Sequence, residues 1–177
     1  MSDIIIKLTL DSLRDAFQSA GYRIEVVTDP VANVQYLRSA TSGLAFDIRP
    51  GNRFAGEEQG FADVTLVAPL QVQGELPLEV VNRWNAMRRF GRLQLSPPFL
   101  VFATDICVAG GVAPNNLRAQ IEIWDRLVQE LVGYLREQLS KLGTAGGAAA
   151  PAARLSPTKE DPAQQSNANL EASATIQ

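Results

Sequence analysis

The residues that most often carry chemistry near neutral pH are scarce in this chain. It contains no histidine and one cysteine, Cys107. The commonest general acid-base and metal ligand is therefore missing, and a structural zinc site cannot be assembled. Carboxylates remain, in settings poorly suited to catalysis. Asp63 reads as the start of a strand, Glu57 and Glu58 fall in a polar loop, and Asp105 sits in the run Thr104-Asp105-Ile106-Cys107-Val108. Exposed solvation is the simple reading for the first three. A carboxylate placed as Asp105 is either faces solvent on the far side of a sheet or finds hydrogen-bond partners inside, and a structural role is expected. No enzyme activity, catalytic residue, cofactor or metal site is assigned.

Binding chemistry has better candidates. Arg83, Arg88, Arg89 and Arg92 form a local basic patch at the end of a helix, where cations also complement the negative helix terminus. With Arg53, in the polar stretch from Arg49 to Gly60, they are the candidate partner or ligand contacts. Asn82 and Asn85 flank Trp84, where an asparagine at the core edge would bond neighbouring backbone. Gly110-Gly111 before a helix could form an anion-binding nest, although a strand-to-helix turn needs such glycines for positive φ in any case.

The elements that position these residues are legible from periodicity. Leu10, Leu13, Phe17 and Ala20 share one face of a helix from Leu10 to Ala20, with Thr9 as its cap and Gly21 beyond its end. Short alternating runs follow at Tyr22, Ile24 and Val26, at Val34 to Ala40, and at Leu44 to Ile48, with Ser42-Gly43 as a tight turn. Residues 49–60 read as a mobile surface loop. Ala62 to Val72 reads as a long strand whose Pro69 suggests a bulge or an edge. Pro77 opens a helix to Arg88 with Val80, Val81, Trp84 and Met87 as its buried stripe. A hairpin follows, Arg92 to Leu95 and Phe99 to Val108, within which Cys107 is expected to be a small buried hydrophobe. The longest helix opens at Pro114 and carries Leu117, Ile121, Trp124, Val128, Leu131, Leu135 and Leu142 at spacings of a coiled-coil seam. Ile123, Leu127 and Tyr134 widen that stripe, so it fits either a helix laid across a sheet or a subunit contact.

All twelve aromatic residues lie between Phe17 and Tyr134, which places the folded domain at residues 1–142. Residues 143–177 are rich in Ala, Gly, Pro, Ser and Gln and are read as a disordered tail. Within it, Leu155-Ser156-Pro157 and Leu170 could serve as short docking elements. A net charge of -3 gives no long-range attraction to phosphate backbones, so nucleic acid is not an expected partner. Neither a secretory signal nor a span of about 18 apolar residues is present, so a cytoplasmic location without membrane contact is expected.

The segment Val81-Asn82-Arg83-Trp84-Asn85-Ala86-Met87-Arg88-Arg89-Phe90, the hairpin with Asp105, the Gly110-Gly111-Val112 turn and a helix carrying Trp124 resemble the YbjN family of bacterial sensory-transduction regulators. The resemblance covers roughly residues 7–142. It implies an α+β fold similar to type III secretion chaperones: a twisted antiparallel sheet with helices packed against it, a long C-terminal helix and a homodimeric state. It brings no catalytic residues. Where similar proteins place Thr or Ser after Gly-Gly-Val, this chain has Ala113, a poor helix cap. The expected function is a chaperone-like or regulatory module that binds a protein partner, with a small-anion sensor as the alternative.

Overall fold

The computed structural model describes residues 4–56, 59–145 and 154–157. Helix α1 (Leu10–Ser19) begins as its sequence dictates. Thr9 and Ser12 form a capping box, and Gly21 at φ 92 ends the helix. Strands β1 (Glu25–Thr28), β2 (Gln35–Thr41), β3 (Leu44–Pro50) and β4 (Asp63–Gln73) follow. Helix α2 (Leu78–Met87), the hairpin of β5 (Arg92–Ser96) and β6 (Phe99–Cys107), and the 32-residue helix α3 (Pro114–Ala145) complete the domain. The sheet is antiparallel with strand order β1-β2-β3-β4-β6-β5. Ser42 and Gly43 both have positive φ and close the β2–β3 turn.

All three helices lie on one face of this sheet, because two inward-facing phenylalanines touch aromatic rings from each of them. Phe46 of β3 meets Phe17 of α1 and Trp124 of α3, while Phe102 of β6 stacks on Trp124 at 5.2 Å and takes the edge of Trp84 from α2. Leu117, Ile121, Trp124, Leu127, Val128, Leu131 and Leu135 are all buried in this one chain. The coiled-coil spacing is thus that of a helix laid across a sheet, and the stripe leaves little for a second subunit.

Several expectations need correction. The alternation of Tyr22 and Ile24 does not continue to Val26, which is exposed on the edge strand β1, where Val27 is the half-buried residue instead. Met87 is exposed because the helix ends there and Arg88 is already extended. Cys107 is also exposed: the two-residue period of β6 buries Ile106 and turns Asp105 and Cys107 to solvent.

The segment after β3 is anchored as well. Asp63 accepts bonds from the backbone N–H and side-chain amide of Asn52 at 3.1 and 2.7 Å, and Gly51 and Ala62 add backbone bonds across the loop base. A Cβ at Gly51 would lie 1.9 Å from Asp63 Oδ1. The base of the loop in residues 49–60 is therefore fastened to β4; Glu57 and Glu58 lie outside the described residues.

Pro69 causes no bulge against β6, since the register runs without interruption from Asp63↔Cys107 to Gln71↔Phe99. On the other side of β4, β3 pairs only with Val64 to Val67. Within the stretch read as a disordered tail, Arg154–Pro157 forms β7, antiparallel to Leu70–Gln73 of β4. Leu170 and the rest of the tail beyond Pro157 lie outside the described residues.

Candidate functional site

A cleft of about 490 Å3 lies where the N-terminal segment, α1 and the start of α3 meet. The segment before α1 runs extended, held by reciprocal backbone bonds of Ile5 with Val112 at 2.8 and 2.9 Å and by bonds between Leu8 and Phe61. This anchoring leaves the alternate residues Ile4 and Ile6 exposed at 64% and 63%. Ala16, Leu117 and Ile121 continue the apolar lining, with Lys7, Arg118, Ser12 and Ser19 among its polar members. Gly111, at φ 90, admits the segment closely, because a Cβ there would lie 2.7 Å from Ile4 Cγ2.

A second cleft of similar volume shares Ala20 and Ile121 with the first and is the more polar of the two. There the hydroxyls of Tyr22 and Thr41 both donate to Asp125 Oδ1, at 3.2 and 2.5 Å, and Gln129 donates to Oδ2 at 2.7 Å. Burial, reinforced by the negative charge of Asp125, pushes the Tyr22 hydroxyl far above its ordinary value. Tyr22 is consequently a neutral donor. An apolar trough with a hydrogen-bonding end suits an amphipathic segment.

The sequence-predicted arginines are placed differently. Arg88 pairs with Glu130 at 2.8 Å and lies over the Trp84 ring. Arg92 pairs with Asp105 at 2.5 Å. Arg83 and Arg89 are exposed on α2 and just after it, and Arg53 lies over Phe61 on the separate loop before β4. Only Arg88 and Arg92 line a common feature, a depression of about 280 Å3 completed by Asn85, Phe90 and Gly91. Carboxylates offset both of their charges, and Arg53 lies apart from this depression on the loop before β4.

The motif residues are mostly structural in placement. Asn85 bonds the N–H and C=O of Leu93 at 2.8 and 2.9 Å, and the Trp84 indole donates to Gly91 O at 3.1 Å. Asn82 is exposed. Asp105 also accepts from Thr65 at 2.7 Å; burial acts to raise its carboxyl, and the Arg92 and Thr65 bonds outweigh it, leaving it below the ordinary value. Gly110 and Gly111, at φ 82 and 90, form the turn into α3, where the Ala113 carbonyl accepts the Asn116 N–H. Trp124 is fully buried with its indole nitrogen unpaired.

Sequence reasoning missed a cluster on the helix-free face of the sheet. Asp47 is 3% exposed and accepts from Arg38 at 2.8 Å and Arg49 at 3.0 Å, and the Arg49 guanidinium lies 4.3 Å from the Tyr36 ring centre. Asp29, also buried, has its carboxyl held low first by the N–H groups of Ala32 and Val31. The period-two pairs Tyr36-x-Arg38 and Asp47-x-Arg49 carried the signal. Two arginines and two aspartates balance, which marks the cluster as self-contained. Among the described residues, no group of three or more potential metal-ligating side chains is found, and no helix is long and apolar enough to cross a membrane.

Residues 9–137 match the model of the YbjN family, described as "Putative bacterial sensory transduction regulator". The crystal structure of YbjN from E. coli, described as "a putative transcription regulator", is similar to this chain at a TM-score of 0.48 and 17% identity, covering 68% of this chain and 84% of that one. No curated protein matches.

Proposed function

The chain belongs to the YbjN family of bacterial sensory-transduction regulators, and from that premise we propose that it is a chaperone-like or regulatory module that binds a partner protein without catalysis. The observation that carries this reading is the apolar cleft between the N-terminal segment, α1 and α3, with Ile4 and Ile6 on its exposed rim. An apolar cleft rimmed by exposed hydrophobic side chains is a common form of interaction site. The adjoining Tyr22-Thr41-Asp125 group supplies fixed polar partners at one end. A partner's amphipathic helix or extended segment is the ligand that suits such a trough.

The homodimer implied by the family resemblance would need a surface other than the apolar stripe of α3. The β1 edge, with exposed Val26 beside exposed Val31 and Val34 of the following loop, is the surface that suits it. Light-scattering mass of the full chain checks this directly, and a monomeric mass rejects it.

The partner reading is tested by affinity recovery from native lysate with quantitative mass spectrometry. The wild-type full chain is compared with Ile6→Asp and Ser19→Arg, two exposed rim substitutions whose folding is checked by thermal melting. A specific protein recovered by the wild type and lost with both folded variants is the expected result. Equal recovery by all three would place binding elsewhere, and recovery of no specific protein would reject the reading.

A further inference from the structure

We propose that the edge of β4 over Leu70–Gln73 is a docking edge for an extended segment of a partner protein, and that the chain's own Arg154–Pro157 is the resident that such a segment displaces. This surface is distinct from the cleft and does not depend on what the cleft holds. The first observation is why the edge exists. β3 follows β4 through Asp47↔Val67, and continuing that register would set Ala45 opposite Pro69. Proline has no amide hydrogen to give the next ladder bond. β3 and β4 part at that point, and β7 pairs from Leu70 onward.

The second observation is which backbone groups the edge presents. The Val72 N–H donates to Pro98 O at 2.8 Å, toward the β5–β6 hairpin. Because alternate residues of a strand address opposite neighbours, Gln71 and Gln73 direct their N–H and C=O groups away from β6. They are the residues opposite Ser156 and Arg154. The third observation is that the resident fits without penalty. Pro157 stands opposite Leu70, which addresses the other side, so a missing amide hydrogen costs nothing there.

These positions define the partner's chemistry. It is an extended segment with N–H-bearing residues opposite Gln71 and Gln73 and tolerance for proline opposite Leu70. Backbone bonding of this kind supplies affinity by strand addition. The resident is only four residues long but is tethered, so its effective concentration is on the order of millimolar. It therefore acts as a built-in competitor that a free segment must outbid by affinity or local concentration.

The test uses the full chain and its Ser156→Pro variant, which removes the N–H that faces Gln71 and alters no residue of the domain core. Hydrogen exchange is read at the Gln71 and Gln73 amides, and binding is read with a fluorescent peptide of residues 152–159. The expected result is exchange at least about tenfold faster in the variant, tighter peptide binding by the variant by a similar factor, and restored protection when the peptide is added. Equal exchange in the two proteins, or a peptide that binds both equally or neither, overturns the proposal. So does a dimer that Ser156→Pro converts to monomer, because the strand would then come from a second copy. None of these readouts involves Ile6 or Ser19, so failure here leaves the cleft reading standing.

Discussion

The side-chain amide of Asn85 lies against the backbone of Leu93 as a neighbouring strand would, donating to its C=O and accepting from its N–H. One amide on α2 thereby closes the middle of the β5 edge. Unpaired edges are templates for association, and the other end of the sheet, at β1, has no such cover among the described residues. We predict that Asn85→Ala costs about 1–3 kcal/mol in urea denaturation, as expected when buried polar partners are orphaned. It should also increase concentration-dependent aggregation. An unchanged midpoint would show that Leu93 is satisfied by water instead.

The two tryptophans should respond differently to replacement by phenylalanine. Trp84 donates to Gly91 O, whereas the Trp124 indole nitrogen is buried without a partner. Both substitutions remove ring area, but only Trp84→Phe removes a hydrogen bond. The expected excess cost of Trp84→Phe is about 1 kcal/mol, measured by chemical denaturation of the two variants. A larger loss for Trp124→Phe would mean that its stacking on Phe102 dominates.

Alkaline pH should destabilise the protein partly through Tyr22. Burial and then Asp125 raise its pKa in the folded state, above the ordinary value of about 10. The resulting stabilisation is fully present below about pH 10 and is lost as pH rises toward the folded value. Melting temperatures should therefore fall between about pH 10 and pH 12, and less steeply in Tyr22→Phe. Tyr36 and Tyr134 are raised as well, primarily by burial, so the variant removes part of the slope.

Asp47 should prove structural. Arg38 and Arg49 both bond its carboxylate, and Tyr36 lies under Arg49. Asp47→Asn keeps the size and removes the charge, taking from Arg38 its bonded carboxylate and leaving Arg49 the more distant Asp29 at 3.9 Å. The expected loss is roughly 1–3 kcal/mol by urea denaturation, with partner recovery from lysate unchanged once the folded fraction is equal. Lost recovery at full folding would transfer functional interest to this face.

How much was readable in advance depended on the range of the interaction. Helix ends, the Ser42-Gly43 turn and the burial of Trp84 and Trp124 follow from periodicity and local backbone preference, so α1, α2 and α3 emerge close to their expected bounds. Errors arose where a period ran into an edge. Val26 lies on the edge strand β1, Met87 lies where its helix ends, and Cys107 lies on the open face of β6. The fastening of Asn52 to Asp63 at the base of the polar loop spans a turn whose closure composition does not encode.

The sequence by itself determined an α+β domain without histidine chemistry and the family to which it belongs. Local propensity and side-chain type suffice for those conclusions. Only the tertiary structure decided that the α3 stripe is consumed inside one chain, that carboxylates offset Arg88 and Arg92, and that Ile4 and Ile6 rim a cleft. It likewise decided that Pro69 parts β3 from β4 where Arg154–Pro157 pairs. Each of these rests on contacts between residues distant in sequence, whose energies depend on which surfaces the folded chain brings together.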